Sequence, residues 1–484
     1  MKKKIQVLSV TPEIFPLIKT GGLADVTGAL PDVLADHGVA VRTLVPGYPK
    51  VWQAVGEGEE LYYFPDLFGG SAKIFAAKAA GLDLLVLDAP HLYNRPGNPY
   101  MGPDGKDWPD NAARFAALGC VAAEIGNGIL ASYQPDIVHA HDWQAALAPV
   151  YVRFRGYPAK TVLTIHNLAY QGQFASWDFG MLGLPDEAFG LHGLEYYGGL
   201  GYLKGGLVCA DAITTVSPSY AEEICTPAFG MGMQGLLHDR HHALHGIANG
   251  IDTAVWNPAV DDALVQGYDA RSLGRRVHNK RAIEKRFGLD QDDGLLYCVI
   301  TRLTWQKGMD ILANNLDTLI ETGARLALLG SGDGGLERQF LDAATRYPGR
   351  VGVVAAYDEP LSHLLFGGAD AILVPSRFEP CGLTQLYGLR YGCVPVAART
   401  GGLADTIVEA NQAAIAAGAA TGVLFDPDNS EALGTALERT ANLYADSKQW
   451  SGLQRAGMKT DVSWDASAAR YAALYLELIE GKSA

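Results

Sequence analysis

Short runs of β-branched and aliphatic residues recur along the 484-residue chain, and each is followed by a small-residue turn and a segment with helical spacing. Apolar runs of this length are typical of strands buried on both faces, as in parallel sheets. Strands that alternate with helices predict an α/β fold. The runs are IQVLSV, VRTLVPG, DLLVLDA, DIVHAHD, TVLTIHN and AITTVSPS, followed by LYCVITR, RLALLGSG, RVGVVAAY, DAILVPS and VPVAART.

The strand series falls into two parts, divided around the segment HGIANGIDTAVWNPAV (245–260). A chain of this length also exceeds what one hydrophobic core usually supports. We therefore predict two Rossmann-like domains that face each other across a deep cleft, at 1–245 and 246–460. Residues 461–484 are expected to form a helix that packs back on the body, because Tyr471, Leu474, Tyr475 and Leu478 follow helical spacing.

The sequence TGGLAD occurs twice, at 20–25 and at 400–405, with Lys19 and Arg399 immediately before the two copies. Each copy follows a predicted strand and opens a predicted helix, LADVTGALPDVLADHG in the first case and LADTIVEANQAAI in the second. Paired glycines let a backbone approach an anion, and a helix N-terminus offers free N–H groups. The repeat favours an anion-binding turn in each domain, although a glycine pair that only permits a tight turn explains either copy alone equally well.

Composition and charge narrow the class of protein. Hydrophobic residues make up 48% and charged residues 19%, which is typical of a globular chain and not of a disordered one. The net charge of −15 disfavours nucleic acid and anionic membranes as partners. The six cysteines are scattered without a C-x-x-C pair, and the N-terminus lacks the pattern of a signal peptide, so we expect a cytoplasmic protein.

Several charged residues follow predicted strands of the second half. Arg302 and Lys307 lie in TRLTWQKG after LYCVI, where two cations on one loop can clamp a diphosphate, although a solvated basic loop is the simpler alternative. Glu379 lies in SRFEPCGLTQLYGLRYG after DAILVPS. A carboxylate beside a phosphate site is electrostatically unfavourable unless a cationic group, such as a glycosyl oxocarbenium, develops between them.

Histidines cluster in the first half, in HAHDWQAA, TIHNLAYQG and HDRHHALHG. We interpret His139 and His141 mainly as hydrogen-bonded structural residues. A metal site is disfavoured because the spacing lacks an H-E-x-x-H or C-x-x-C context. Cys381 has no evident paired base, so we interpret it as a small apolar thiol and not as a nucleophile.

Taken together, KTGGLADV, HAHDWQA, TIHNLAYQG, NGID, TRLTWQKG, SRFEPCGLTQLY and RTGGLADT resemble the starch synthase family, in its bacterial glycogen synthase branch. The resemblance implies a GT-B glycosyltransferase fold, with an acceptor-side first domain and a nucleotide-sugar second domain. It further implies transfer of glucose from ADP-glucose to the non-reducing end of an α-1,4-glucan such as glycogen or a maltooligosaccharide, with retention of configuration and release of ADP. It implies no cofactor and no metal ion.

The resemblance also implies roles for individual residues. Lys19 matches a donor-binding lysine, and Arg302 and Lys307 match a diphosphate clamp. Glu379 matches the motif glutamate, while Asp142 and His166 match an aspartate and a histidine beside the sugar; we count these two with Arg302, Lys307 and Glu379 as catalytic. The remaining predicted substrate-binding residues are Gly21, Gly22, Asn249, Tyr357 (in the adenine-stacking place), Cys381, Gly382, Leu383, Thr384, Gly401, Gly402 and Leu403.

One position departs from the wider class of retaining transferases. Many carry a second glutamate eight residues after the first, whereas this chain has Tyr387 at that position. The bacterial glycogen synthase branch also lacks this glutamate, so the departure points toward that branch. A UDP-sugar transferase, a phosphorylase-like enzyme and a catalytically silent glucan-binding scaffold are the alternatives. The sequence leaves the oligomeric state open.

Overall fold

The computed structural model describes residues 4–481, which divide into two compact units. Unit 1 contains the residues up to Asn249 together with those from Trp464 onward, and unit 2 is Gly250–Ser463. The chain thus leaves unit 1 once and returns to it with its last helix. No helix among residues 4–481 has the length and apolar character that spanning a membrane requires.

Unit 1 contains twelve strands in its described part. They are β1 (Ile5–Val10), β2 (Val39–Pro46), β3 (Glu59–Phe64), β4 (Ala72–Ala79), β5 (Leu82–Asp88), β6 (Ile137–His141), β7 (Lys160–Ile165), β8 (Gln173–Phe174), β9 (Glu195–Tyr196), β10 (Gly199–Gly201), β11 (Ala212–Thr215) and β12 (Leu244–Gly246).

Nine of these strands form one sheet in the order β12-β11-β7-β6-β1-β2-β5-β4-β3. Pairing is parallel from β12 to β5, and β4 and β3 extend the sheet in antiparallel fashion. The strands β8, β10 and β9 form a separate small antiparallel sheet. Apart from its antiparallel edge, the large sheet has the doubly wound arrangement predicted from the buried apolar runs.

Nine helices lie in the described part of the first stretch of unit 1, before the chain enters unit 2. They are α1 (Gly22–Asp36), α2 (Pro49–Val55), α3 (Pro90–Tyr93), α4 (Asn111–Gly126), α5 (Asp142–Ala145), α6 (Leu147–Arg155), α7 (Tyr202–Cys209), α8 (Pro218–Glu223) and α9 (Gln234–Asp239), with 3-10 turns at Ser176–Leu182, Asp186–Ala188 and His241–Ala243.

Unit 2 has six strands in one fully parallel sheet, in the order β15-β14-β13-β16-β17-β18. This order is the Rossmann order 3-2-1-4-5-6. The strands are β13 (Leu296–Ile300), β14 (Arg325–Leu329), β15 (Val351–Val354), β16 (Ala371–Val374), β17 (Val394–Ala398) and β18 (Val423–Phe425).

The helices of unit 2 pack on both faces of its sheet, around two clusters of buried apolar side chains. They are α10 (Arg276–Phe287), α11 (Met309–Asn314), α12 (Leu316–Glu321), α13 (Gly334–Arg346), α14 (Glu359–Gly368), α15 (Thr384–Tyr391), α16 (Gly401–Thr406), α17 (Gln412–Ala416), α18 (Ser430–Ala445) and α19 (Ser447–Lys459), with a 3-10 turn at Leu273–Arg275.

The last helix, α20 (Asp465–Glu480), packs on unit 1. Its side chains Tyr471, Leu474 and Tyr475 are buried, and they share a cluster with Leu30 and Leu34 of α1. The apolar stripe of the sequence therefore lies against α1 and the neighbouring face of the first sheet.

Every predicted apolar run contains a strand of the structure, and the α/β class is confirmed. The prediction of one long helix after the second TGGLAD is wrong, because α16 ends at Thr406 and α17 begins only at Gln412. Between them, Val408 N–H donates to Thr421 Oγ1 and Ala410 N–H donates to the Gly422 carbonyl. These bonds to a distant segment replace the helical hydrogen bonds that the local spacing favours.

Candidate active site

Both large sheets have a topological switch point beside their first strand. In unit 1, β1 has β2 on one side and β6 on the other, and in unit 2, β13 has β14 on one side and β16 on the other. Ligands of open α/β sheets bind at the carboxyl ends of strands at such points. Most of the predicted site residues follow β1, β6, β13 or β16 in the chain, so each unit carries its own group of candidates at its switch point.

The first glycine loop, residues 19–22, leads into α1 and ends at its first residue. Lys19 is paired within this loop and helix, because its Nζ lies 2.7 Å from Asp25 Oδ1 in the first turn of α1. Gly21 has extended backbone angles, and a Cβ built on it would meet no atom within 4 Å. The chain's own packing therefore does not require glycine at this position, whereas close approach of a ligand to the backbone would.

Glu13 anchors the first glycine loop by hydrogen bonds to Thr20, a role that no sequence motif indicated. Its buried carboxylate accepts hydrogen bonds from Thr20 N–H, from Thr20 Oγ1 at 2.8 Å and from Tyr100 Oη at 2.5 Å. Burial raises the pKa of Glu13, and these donors oppose the shift. The loop's first amides are thus bound by a carboxylate of the chain itself, which leaves the N–H groups at the start of α1 for an external anion.

The carboxyl ends of β6 and β7 bring three histidines together: His139, His141 and His166. His141 Nδ1 lies 3.1 Å from His166 Nε2, and the rings of His139 and His141 have centroids 4.2 Å apart. Burial lowers the pKa of His139 and of His166 to about 3, and that of His141 well below its ordinary value. All three rings are therefore neutral at pH 7. His139 and His141 are hydrogen-bonded as predicted.

Asp142 directly follows β6 and has a left-handed backbone, with φ of 56°. Its Oδ1 accepts a hydrogen bond of 2.7 Å from the backbone N–H of His166, which ties the ends of β6 and β7 together. Burial raises the pKa of Asp142 to about 7, while hydrogen bonds from the His166 and Asn167 amides act in the opposite direction. Non-glycine residues in this backbone region are uncommon and are enriched at functional sites.

Asn249 is the last residue of the first stretch of unit 1. Its side chain is buried, and its Oδ1 has no hydrogen-bond partner among residues 4–481. A buried amide oxygen without a donor is energetically costly, so this atom is suited to accept a hydrogen bond from a ligand hydroxyl.

In unit 2 the predicted catalytic residues Lys307 and Glu379 are in direct contact. Lys307 Nζ lies 2.6 Å from Glu379 Oε2 and 2.8 Å from Oε1, and Ser376 Oγ donates to Oε2 at 2.8 Å. Arg302 lies on the same loop as Lys307 but is exposed, and in the described part of the chain it forms no ion pair. Arg302 thus offers an unpaired positive charge on the loop that also carries the paired Lys307.

Two features hold the loops after β13 and β16 together. Gly308 has φ of 65°, and a Cβ on it would lie 1.9 Å from the Pro375 carbonyl oxygen, so only glycine fits. Arg377 donates to the Trp305 carbonyl at 2.7 Å and forms a bidentate pair with Asp310 at 2.7 and 2.8 Å. Sequence reasoning missed Arg377, although it lies in the same SRFEP segment as Glu379, because its partners are distant in the chain.

The second TGGLAD uses its glycines differently from the first. Gly401 has φ of 44°, and a Cβ on it would lie 2.2 Å from the Glu379 carbonyl oxygen; at Gly402 the corresponding distance to the Cys381 carbonyl oxygen is 2.0 Å. Gly402 N–H donates to the Glu379 carbonyl at 3.1 Å. The expectation that this turn keeps free amides for an anion is therefore wrong for Gly402, whose amide supports the backbone of the loop that carries Glu379.

Residues 381–384 lead into α15, whose first residue is Thr384. Cys381 is buried, while Gly382, Leu383 and Thr384 are partly exposed. Gly382 has φ of 71° and approaches the side chain of Gln385, which donates to the Cys381 and Gly382 carbonyls at 3.0 and 2.7 Å. No side chain of residues 4–481 caps this helix start, so its first amides are available to an external acceptor.

Tyr357 follows β15 and is 76% exposed, which leaves its ring available for stacking on a planar group. Its hydroxyl donates to Glu359 Oε2 at 2.6 Å. Leu403, the last of the predicted substrate-binding residues, is fully buried in the apolar core of unit 2. Direct contact between its side chain and a substrate is therefore not supported.

All six cysteines are free thiols. Within residues 4–481, no group of three or more His, Cys, Asp or Glu side chains is arranged to hold a metal ion.

Comparison with known proteins agrees with this arrangement. The starch synthase catalytic domain model matches residues 6–239, and the glycosyl transferases group 1 model matches residues 280–452. Glycogen synthase of Mesorhizobium japonicum is 59% identical over 481 residues, which is 99% of this chain and 100% of the relative. Glycogen synthase of Rhodopseudomonas palustris strain HaA2 is 59% identical over 478 residues, covering 98% and 99%.

A solved structure, the catalytic domain of starch synthase IV from Arabidopsis thaliana bound to ADP and acarbose, matches with a TM-score of 0.87 at 30% identity, covering 99% of this chain and all of that chain. The family models, the sequence relatives and this structure all agree with the resemblance first recognised in the motifs. The chain belongs to the glycogen synthase family of glycosyltransferases, within the starch synthase group.

Proposed function

We propose that this protein transfers glucose from ADP-glucose to the non-reducing end of an α-1,4-glucan, with retention of configuration and release of ADP. The main support is the contact between Lys307 and Glu379 at the switch point of unit 2, with Arg302 on the same loop as Lys307, in a chain that belongs to the glycogen synthase family. The related Arabidopsis structure was solved with ADP and acarbose, a nucleotide and a glucan-like sugar, which supports the same classes of ligand here.

In the proposed reaction the acceptor O4 attacks C1 of the donor glucose from the face that the diphosphate leaves. The bond between C1 and the phosphate oxygen breaks, and that oxygen takes the proton of the acceptor hydroxyl. Arg302, Lys307 and the amides at the start of α15 stabilise the negative charge that grows on the leaving diphosphate. These cations supply the charge, so we propose that no metal ion or other cofactor takes part.

Glu379 is proposed to bind the donor glucose and stabilise its oxocarbenium character. Its contacts with Lys307 Nζ and with Ser376 Oγ hold its carboxylate between these two side chains. Lys19 is proposed to bind donor phosphate, Tyr357 to stack on the adenine, and Asp142, His166 and Asn249 to bind sugar hydroxyls. Trapping a covalent glucosyl group on Glu379 would contradict the role we assign to it.

The test is nucleoside diphosphate release measured in parallel with glucan elongation. Purified protein is offered ADP-glucose or UDP-glucose with a maltooligosaccharide, with and without EDTA. EDTA-insensitive ADP release with a lengthening glucan ladder is expected. Preference for UDP-glucose would contradict the proposed donor, and absence of turnover with both donors would favour a glucan-binding scaffold. The proposed compartment is the cytoplasm, where six free thiols are stable.

A further inference from the structure

A chain of hydrogen bonds runs through the middle of the first sheet to His166. Ser9 Oγ on β1 lies 3.2 Å from His141 Nε2, and His141 Nδ1 lies 3.1 Å from His166 Nε2. Ser9 and His141 are buried, with 5% and 1% of their surface exposed, whereas His166 is half-buried. The chain therefore begins in the core and ends at the partly exposed imidazole predicted to contact the sugar.

The rings in this chain are neutral, because burial lowers the pKa of His166 to about 3 and that of His141 well below its ordinary value. A neutral imidazole has one N–H donor and one bare nitrogen acceptor. His141 uses both of its nitrogens in the chain, so it donates on one side and accepts on the other. The two hydrogen bonds must consequently point in the same direction, either toward His166 or away from it.

The hydroxyl of Ser9 decides in which of these two directions the hydrogen bonds point. Among residues 4–481, His141 is its one hydrogen-bond partner. If the hydrogen bonds pointed toward Ser9, His141 would donate to Ser9 Oγ. The hydrogen of the Ser9 hydroxyl would then be buried without a protein acceptor, which is costly. If Ser9 donates to His141 Nε2, then His141 donates from Nδ1 to His166 Nε2, and the proton of His166 lies on its Nδ1.

Among the residues that the structure describes, no neighbouring group competes for the ring nitrogens of His141 and His166. The nitrogens of His139 are bonded to Tyr475 Oη at 2.8 Å and to Thr164 Oγ1 at 2.6 Å. The carboxylate of Asp142 accepts from the backbone N–H of His166 and from the amide of Asn167, with no bond to the His166 ring. The His166 ring is thus controlled by His141 alone within the described part of the chain.

We propose that Ser9 and His141 are positioning residues that fix His166 as the Nδ1–H tautomer, so that His166 presents a hydrogen-bond donor to a hydroxyl oxygen of the transferred glucose. The identity of the ligand rests on the function proposed above, whereas the tautomer does not. The fixed donor selects a sugar oxygen that accepts, and it prevents the ring from rearranging when the sugar binds.

The direct test is NMR of the full chain with ¹⁵N-labelled histidine, without ligand. Long-range ¹H–¹⁵N correlations distinguish protonated from bare ring nitrogens, and His166→Gln identifies the His166 signals by their loss. A protonated Nδ1 and a bare Nε2 are expected for His166. A protonated Nε2, or a doubly protonated ring at pH 7, would overturn the proposal whether or not the protein turns over ADP-glucose.

Variants connect the tautomer to catalysis. His141→Leu removes both hydrogen bonds, and we expect mixed His166 tautomers with kcat/KM for ADP-glucose reduced roughly tenfold, the equivalent of one hydrogen bond. His141→Asn retains an amide N–H near the position of Nδ1, so it should restore the Nδ1–H tautomer and most of the activity. Ser9→Ala removes only the hydrogen bond between Ser9 and His141 and deletes a single oxygen atom. It should also increase the Nε2–H form of His166.

His37→Leu serves as the matched control, because His37 pairs with Asp465 at the surface and lies outside the cluster. It should leave the His166 signals and kcat/KM unchanged. Wild-type His166 signals in both His141→Leu and Ser9→Ala would contradict the proposal, as would a folded His141→Asn no better than His141→Leu. Full activity with ADP-glucose combined with the wrong tautomer would count against this inference while leaving the proposed function intact.

Discussion

Lys307 Nζ lies within 2.8 Å of both carboxylate oxygens of Glu379, so the cation predicted to clamp a diphosphate and the carboxylate predicted to face the sugar form one ion pair. The pair is largely buried, with 19% and 9% of the two side chains exposed. Removing either partner leaves the other as an uncompensated charge in a poorly solvated place.

This contact predicts strongly non-additive mutational effects. Lys307→Gln and Glu379→Gln should each lower kcat by about 10²–10³, as expected for loss of an electrostatic stabiliser. The double variant should lose little more than the worse single variant, because the two side chains act as a unit. Steady-state kinetics with ADP-glucose measures kcat of the two single variants and of the double variant. A double variant whose fold-decrease in kcat equals the product of the two single decreases would contradict the coupling.

The buried pair Lys280–Asp370, with an N–O distance of 2.7 Å, is the control for this cycle. Lys280→Gln combined with Asp370→Asn should lower the thermal unfolding midpoint while leaving kcat per folded molecule unchanged.

Arg302 should matter for turnover and hardly at all for folding. Its side chain is exposed and unpaired within residues 4–481, so Arg302→Ala should leave the unfolding midpoint unchanged. Turnover should fall by about 10²–10³ because a charge that stabilises the leaving diphosphate is lost. Arg271→Ala removes another exposed arginine of unit 2 and should have no effect on turnover. A wild-type turnover rate in Arg302→Ala would contradict the proposed role of Arg302 in clamping the diphosphate.

The two TGGLAD copies should respond in opposite ways to alanine. Gly21→Ala adds a methyl group into open space, so its stability should change by no more than about 1 kcal/mol, while KM for the donor rises. Gly402→Ala places a methyl group 2.0 Å from the Cys381 carbonyl oxygen and should destabilise unit 2 by about 1–3 kcal/mol. Chemical denaturation and donor KM measured on both variants make the comparison. An unfolded Gly21→Ala would show that the first glycine is structural.

Stability should fall in acid because of the histidine cluster. In the folded state the pKa of His139 and His166 is about 3, below the ordinary value of 6.5, so the unfolded chain binds more protons between these values. The free energy of unfolding should therefore decrease as the pH falls from about 6.5 toward 3. Denaturant titrations at several pH values measure this. A double variant, His139→Gln with His166→Gln, should show a weaker dependence, and an equal dependence would contradict the assignment.

Asp142 should change the pH dependence of stability in the direction opposite to that of the histidines. Its pKa is raised from 3.8 to about 7, so the folded state holds this proton while the unfolded state releases it, and stability is lost as the pH rises through this window. Asp142→Asn cannot ionise, and its amide oxygen can still accept from the His166 amide. The variant should gain stability relative to the wild type as the pH rises from 4 to 8. A difference that stays constant over this range would show that Asp142 is already ionised at low pH.

The sequence by itself determined the parts of this protein that depend on local spacing. The apolar runs identified most of the large-sheet strands, since a strand buried on both faces must be apolar at successive positions. The motifs identified the family and named candidate residues at the ends of those strands. The short strands β8 to β10 were missed because two or three residues give no recognisable period.

Only the tertiary structure decided how those residues are paired. Lys307 and Glu379 are 72 residues apart, and they meet because β13 and β16 are neighbours in the sheet. The two identical TGGLAD segments differ for the same reason: a Cβ on Gly21 would meet nothing, whereas the backbone of residues 379–381 lies against Gly401 and Gly402. Identical sequences have identical local conformational preferences. Contacts with distant segments decide which glycine is required by packing and which remains accessible to a ligand.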